Sequence, residues 1–447
     1  MDSILPHIAL DLITVIVVSI WMIPKLCFWH PLTIYLVFHI FSFSMRAYEI
    51  YAGAPLMYEG QLYAEIIRPE EIYRALLIGD LCLIIFTLGS WLAHKKSNSA
   101  ARQPSLIRTT NPTITTAVAT IALPLGAAAL FFAKNYGLQA NVDDASTGYI
   151  QAIAMWPIGV AGLLVYTFGF RWYYLLIAAI YLSSVAFQGY HRFMLILPLF
   201  YFTAVYLQAH RLRWPNFWII PCAIFIVAVF PNLKPIGAAI QRGEYSGAAA
   251  LIGASIGTSE KSIDAKGSDE LLDQFAGALT MIDENNRKLM GQTYLSVITL
   301  PVPRAWWPSK PGLADHLEEI STPLRRYDKQ GRIITYIAEA YLNFGYVGLI
   351  AVPLILGYVL TLFFMHSAPG AMLGLWHYLY LATFASFLQA FRDGLTSLVL
   401  FSIVHNMPMC FVAVANLIPG WSTKVLPRLN TESEADPRVN PAGRYRR

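Results

Sequence analysis

Long, predominantly apolar runs alternate with polar connections along this chain. Runs of about twenty residues, enough to cross a hydrocarbon core of about 30 Å as a helix, recur near 4–24, 31–50, 73–93, 113–133, 151–170, 173–190, 193–209, 216–234, 336–364, 371–390 and 395–417. The connections are short except for the stretch 235–335. The pattern predicts an all-α, polytopic integral membrane protein with about 11 transmembrane helices. Its parts are a first bundle over 1–234, one large loop over 235–335, a second bundle over 336–418 and a tail over 419–447. The first run has no charged n-region and no small-residue cleavage site, so it reads as a retained helix. The tail, rich in Pro, Arg and Glu, reads as disordered.

Orientation follows from the cations of the short loops. "HKKSNSAARQPSLIRTTN" carries Lys95, Lys96, Arg102 and Arg108, "HRLRW" adds Arg211 and Arg213, and the chain ends in "GRYRR". These are expected in the cytoplasm, which places Asp143, Asp144, the large loop and the N-terminus on the other side. Composition agrees: 56% hydrophobic and 13% charged residues, with mean hydropathy +0.50, are too apolar for a soluble domain of this length. The net charge of +5 is then a topology signal, and no basic aromatic module points to nucleic acid. Cys27, Cys82, Cys222 and Cys410 lie in or beside apolar runs without CxxC pairing, and no His cluster shows metal-ligand spacing. They read as buried small hydrophobes, and neither metal nor cofactor is expected.

In the large loop, "GSDELLDQFAGALTMIDENN" places Leu271, Leu272, Phe275, Leu279 and Ile282 near helical spacing, with Ser268 as a cap and Asp269 and Glu270 in the first turn. This predicts one amphipathic helix, lying over the bundle, on the membrane surface, or over the loop's own core. No Walker loop, nucleophile elbow or paired acidic motif accompanies it.

"PVPRAWWPSKPG" (301–312) is stiffened by its prolines. Trp306 and Trp307 suit either the headgroup level or the apolar face of a sugar, and Arg304 with Lys310 suits an anionic group. An interfacial anchor and a ligand-binding strip are both compatible with it. Downstream, "LRRYDKQGRIITYIAEAYLNFGYVGLI" supplies Arg325, Arg326 and Arg332, then Glu339 and Asn343 at i and i+4. An ionisable residue in a span suggests function, and a structural pair of Glu339 with an arginine is the alternative. His191 and Arg192, Arg392 and Asp393, and Arg46 and Glu49 fall at further helix ends on the same side. Cations gathered where positive charge is disfavoured imply an anionic ligand presented from that leaflet. Asp11 and Asp80 read as paired or cavity-lining groups within spans, and His405 with Asn406 as polar contacts beside Pro408.

"MGQTYLSVITLPVPRAWWPSKP" followed by "ITYIAEAYLNFGYVG", within such a bundle, resembles the Wzy family of bacterial O-antigen and exopolysaccharide repeat-unit polymerases, most specifically over about 290–350. The resemblance implies a GT-C-like, metal-independent glycosyltransferase of the bacterial inner membrane, its site facing the periplasm. Undecaprenyl-pyrophosphate-linked oligosaccharides would be both donor and acceptor, and a chain-length regulator a further partner besides membrane lipid. It implies that Arg192, Arg304 and Arg392, assisted by Lys310, hold the leaving pyrophosphate. Glu339 is the candidate base, with His191 or Asp393 as alternatives. Arg325, Arg326, His191, Trp306, Trp307 and Asn343 would complete substrate binding. A ligase using the same donor and a flippase are the rival readings; the chain lacks the internal repeats a transporter tends to show.

Overall fold

The computed structural model describes residues 4–58, 61–62, 69–99, 107–109, 111–135, 150, 153–188, 193–210, 212–216, 236, 239–240, 242–256, 271–285, 288–299, 302, 306–307, 334–367, 375–418 and 423–425. Helices dominate. They are α1 (Leu5–Met22), α2 (Pro31–His39) continuing through a π turn (Ile40–Ser44) into α3 (Met45–Tyr51), α4 (Pro69–Ser99), α5 (Pro112–Asn135), α6 (Trp156–Phe168), α7 (Trp172–Gln188) and α8 (Phe193–Ala209). The second half has α9 (Tyr245–Ile256), α10 (Leu271–Asn285), α11 (Gln292–Thr299), α12 (Tyr336–Phe344), α13 (Tyr346–His366), α14 (Leu375–Phe384), α15 (Ser386–Asp393), α16 (Leu395–Val399) leading into a second π turn (Leu400–Val404), and α17 (Met407–Leu417). Two short antiparallel pairings complete the set, β1 (Met57–Tyr58) with β2 (Gln61–Leu62), and β3 (Ile107–Thr109) with β4 (Thr423–Val425). The start of the tail is therefore tied to the loop after α4; 426–447 lie outside the described residues.

Helices occupy ten of the expected apolar runs; 217–234 lies outside the described residues. Four helices are long and apolar enough to cross a membrane alone: Leu5–Met22, Glu70–Lys96, Pro112–Phe132 and Tyr346–His366. Their surfaces are those of lipid-facing helices. On α1, Asp11, Thr14 and Val18 are buried, while Ile13, Val17 and Ile20 are 57%, 57% and 64% exposed. Outward apolar side chains over an inward carboxylate invert the pattern of a soluble helix.

The centre of the bundle is α4 against α13. A Cβ on Gly89 would stand 2.2 Å from the Leu354 carbonyl oxygen and one on Gly357 2.2 Å from that of Phe86, so the two glycines let the backbones touch. Cys82 beside Leu349 and Ser90 beside Thr361 show the helices running in the same direction. Around them Tyr35, Phe38, Phe86, Tyr336 and Phe391 form a buried aromatic cluster.

The run 336–364 is two helices. Gly345, at φ +59 and ψ −142, ends α12 and starts α13, a backbone conformation that L side chains rarely adopt. α12 folds back along α13, with Gly348 against the Ala340 carbonyl. Glu339 thus sits on a nine-residue helix outside the spanning α13.

α10 is the amphipathic helix expected in the large loop. Leu271, Leu272, Phe275, Leu279 and Ile282 are all buried, and it lies over the bundle, where Phe275 meets Phe43 of the first π turn. Ser268 lies outside the described residues. Cys27, Cys82 and Cys410 are free thiols, and Cys222 also lies outside the described residues.

Candidate functional site

Glu339 is fully buried in the first turn of α12, whose start is capped by Thr335 accepting from the Ala338 N–H at 3.2 Å. One carboxyl oxygen accepts from the Thr293 hydroxyl of α11 at 2.9 Å. The other accepts from the Leu395 N–H at 2.7 Å, at the turn between α15 and α16. Gly394 makes that approach possible: at φ +85 and ψ 170 it occupies a conformation almost confined to glycine, and a Cβ there would lie 2.7 Å from the Glu339 oxygen.

Asn343 sets the other side of the carboxylate. Its amide donates to the Thr293 hydroxyl at 2.7 Å and to the Glu339 carbonyl at 2.8 Å, and its side-chain oxygen accepts from the Gly291 N–H at 3.0 Å. Backbone bonds from Leu289 and Met290 to the carbonyls of Leu342 and Asn343 fix the approach to α11, where Met290 and Gly291 both take positive φ. The i, i+4 pairing of Glu339 and Asn343 is therefore used within one network.

No described cation pairs with Glu339, so the alternative of a structural arginine partner finds no support among the described residues. Burial pushes its carboxyl up to about 7, against the Leu395 N–H and Thr293 hydroxyl that favour the ionised form. A carboxylate so poised can take a proton from a hydroxyl near neutrality. Beside the Gly394 turn, Arg392 Nε lies 3.7 Å from Asp393 Oδ1, and the Arg392 side chain is 29% exposed.

Thus Glu339, Asn343, Arg392 and Asp393 cluster around one turn. Trp306 is 82% exposed and Trp307 40%. His191, Arg192, Arg304, Lys310, Arg325 and Arg326 lie outside the described residues. Sequence reading missed Thr293, the hydroxyl shared by Glu339 and Asn343; nothing about a lone threonine after "MGQ" signals such a role.

The cations at this end are not all free for a ligand. Arg46 is engaged by both oxygens of the buried Asp273, at 3.1 and 2.5 Å, and by Glu49 and the Pro55 carbonyl. Arg74, at the start of α4, pairs with Asp283 at 2.6 Å and donates to the hydroxyls of Tyr341 and Tyr346. Tyr341 in turn donates to Asp283 at 2.6 Å. Burial raises the Asp283 carboxyl, but Tyr341 and Arg74 outweigh it, and the net direction is down. Both arginines therefore dock α10; Arg74 was legible by the same logic as Arg46, as a cation near a span's end.

No curated protein and no solved structure matches the chain. The family model described as O-antigen polysaccharide polymerase Wzy matches residues 326–424. This stretch lies further toward the C-terminus than the 290–350 resemblance, overlapping it over 326–350. It runs from just before α12 through Glu339, Asn343, Arg392 and the Gly394 turn to β4, so it is the C-terminal part of this integral membrane protein that is similar to the Wzy family.

Proposed function

We propose that this chain is a polysaccharide repeat-unit polymerase that joins undecaprenyl-pyrophosphate-linked units at the periplasmic face of a bacterial inner membrane. The bundle would have eleven spans and a GT-C-like plan: α1, α2 with α3, α4, α5, α6, α7, α8, the segment 216–234, α13, α14 with α15, and α16 with α17. The contacts favour this topology. Arg213 and Phe28 pair through the backbone, as do β3 and β4, gathering the cationic loops at one end, while Arg74, Asp283 and Tyr346 meet at the other. Glu339, on the helix that also carries Tyr341, lies toward the Arg74 and Tyr346 end, which favours a periplasmic position.

The observation that carries the reading is the buried Glu339 carboxylate, held by Thr293 and Leu395 with no cation paired to it among the described residues, inside the family-matched stretch. Glu339 takes the proton of the acceptor sugar's hydroxyl. The freed oxygen attacks the anomeric carbon of the donor, the bond from that carbon to the pyrophosphate oxygen breaks, and undecaprenyl pyrophosphate leaves with the electron pair. Arg192, Arg304 and Arg392, with Lys310, neutralise the leaving group. His191, Arg325 and Arg326 extend the anion site, Trp306 and Trp307 offer faces for sugar rings, and Asn343 holds Glu339 in place.

The test is the surface-glycan profile of a strain lacking this gene, complemented with wild type or Glu339→Gln at equal protein level. Single attached repeat units with the variant, and polymer with wild type, are expected. Full polymer with the variant removes Glu339 from the mechanism. In the deletion strain, full-length polymer held on its lipid carrier would make the protein a ligase, and units trapped in the inner leaflet a transporter.

A further inference from the structure

Away from Glu339, three ionisable side chains from three helices converge beneath α10. His39 Nε2 of α2 lies 2.7 Å from Asp11 Oδ1 of α1 and 3.4 Å from Asp80 Oδ1 of α4. One potential ligand atom from each falls within 4.8 Å of the other two. All three are buried, at 1%, 0% and 4% exposure for Asp11, His39 and Asp80. Among the described residues, Asp11 Oδ2, His39 Nδ1 and Asp80 Oδ2 have no hydrogen-bond partner, and Asp80 Oδ1 has only the 3.4 Å approach of His39.

The surroundings are shaped for this cluster. The helix leaves α geometry for the π turn directly after His39, a distortion common at functional sites. The Phe43 ring stacks on the His39 imidazole at 5.2 Å and 8°, and Phe275 of α10 packs against Phe43. Gly79, next to Asp80, has no room for a side chain, since a Cβ would stand 2.8 Å from the Phe43 ring.

With both carboxylates ionised the set is negative whether or not the imidazole is protonated, and among the described residues no Lys or Arg pairs with them. Buried charge left uncompensated costs several kcal/mol or more. One divalent cation would bring the set to zero and engage the unpartnered carboxylate oxygens.

We propose that Asp11, His39 and Asp80 bind one divalent transition-metal ion that ties α1, α2 and α4 together under α10. One imidazole and two carboxylates suit Zn2+ or Mn2+, and three protein ligands leave a position for water or a second carboxylate oxygen. This role is structural and stands apart from the chemistry at Glu339. It was not legible in the sequence, because the three residues are scattered over three helices with no local ligand spacing.

The competing account is a proton shared among the three groups. Full-length protein, purified in detergent and stripped with a chelator, separates the two when Zn2+ or Mn2+ alone is added back. Metal content per chain and the thermal midpoint are read. The proposal expects about one ion per wild-type chain and a midpoint that rises with metal concentration. It expects binding at least about a hundredfold weaker in Asp80→Asn, losing a direct ligand being worse than losing a supporting hydrogen bond. Metal-free wild type with an unmoved midpoint, or equal binding by Asp80→Asn, overturns it. If only a proton is shared, Asp80→Asn mimics the protonated acid and is as stable as wild type whether or not metal is present. The wild-type titration needs no variant to fold.

Discussion

Thr293→Val tests how the Glu339 carboxylate is tuned. The substitution keeps the side-chain shape in a fully buried position but removes the hydroxyl that donates to Glu339 at 2.9 Å. Asn343 keeps its bonds to the Glu339 carbonyl and the Gly291 N–H. The lost donor favoured the ionised carboxylate, so its removal raises the pKa above about 7. A hydrogen bond to a charged group contributes about 1.5–3 kcal/mol, which at about 1.4 kcal/mol per unit is a rise of roughly one to two units. At pH 7 the ionised fraction then drops from about one half to between about a tenth and a hundredth. Polymerisation by purified protein on lipid-linked repeat units, followed by product length on a gel, should fall about 5- to 50-fold at pH 7 and recover near pH 9. The rising limb of the pH profile moves up while its plateau is kept. A limb that stays where it is in wild type, or moves down, would refute the assignment of Glu339 as the titrating base.

Glu339 has a raised pKa in the folded protein, so its contribution to stability is complete at acid pH and is lost as pH rises through about 7; thermal midpoints of wild type should fall over that window, and those of Glu339→Gln should show a smaller fall. Gly394→Ala places a Cβ 2.7 Å from the Glu339 oxygen in a backbone region costing about 1–3 kcal/mol for other residues, so polymer should be lost at near-normal protein level, as read by glycan gel and immunoblot. Asp273→Ala leaves Arg46 buried with only the partly exposed Glu49 and a carbonyl, a loss of about 3–5 kcal/mol visible as protease cleavage within 271–285. Gly357→Val drives a branched side chain into the Phe86 carbonyl, 2.2 Å from the Cβ position, and full-length protein should fall to a small fraction of wild type on an immunoblot.

What the sequence revealed and what it withheld divide along physical lines. Apolar runs and α10 follow from local periodicity, and the five apolar positions read in "ELLDQFAGALTMIDENN" are all buried, together with Ala276 and Asp273. The break at Gly345 escaped because glycine is common in apolar spans and only the fold determines its positive φ. Glu339 and Asn343 stood out as polar groups in an apolar context, but Thr293, 46 positions before Glu339, is brought to them by tertiary structure alone. Asp11 and Asp80 were visible as expensive residues within spans, and their partner His39 was not. Arg46 was legible as a cation at a helix mouth; that it is already neutralised depends on Asp273, 227 residues later.

The two arginines that hold α10 differ in how they meet solvent. Arg46 and Asp273 are 7% and 0% exposed, whereas Arg74 and Asp283 are 28% and 38% exposed. Mobile ions screen the second pair and scarcely reach the first. Added salt therefore loosens the helix from its Asp283 end while the Asp273 end holds as a pivot. That gives α10 a preferred sense of rotation, swinging away from Tyr341 and Tyr346 and leaving Phe275 seated over Phe43.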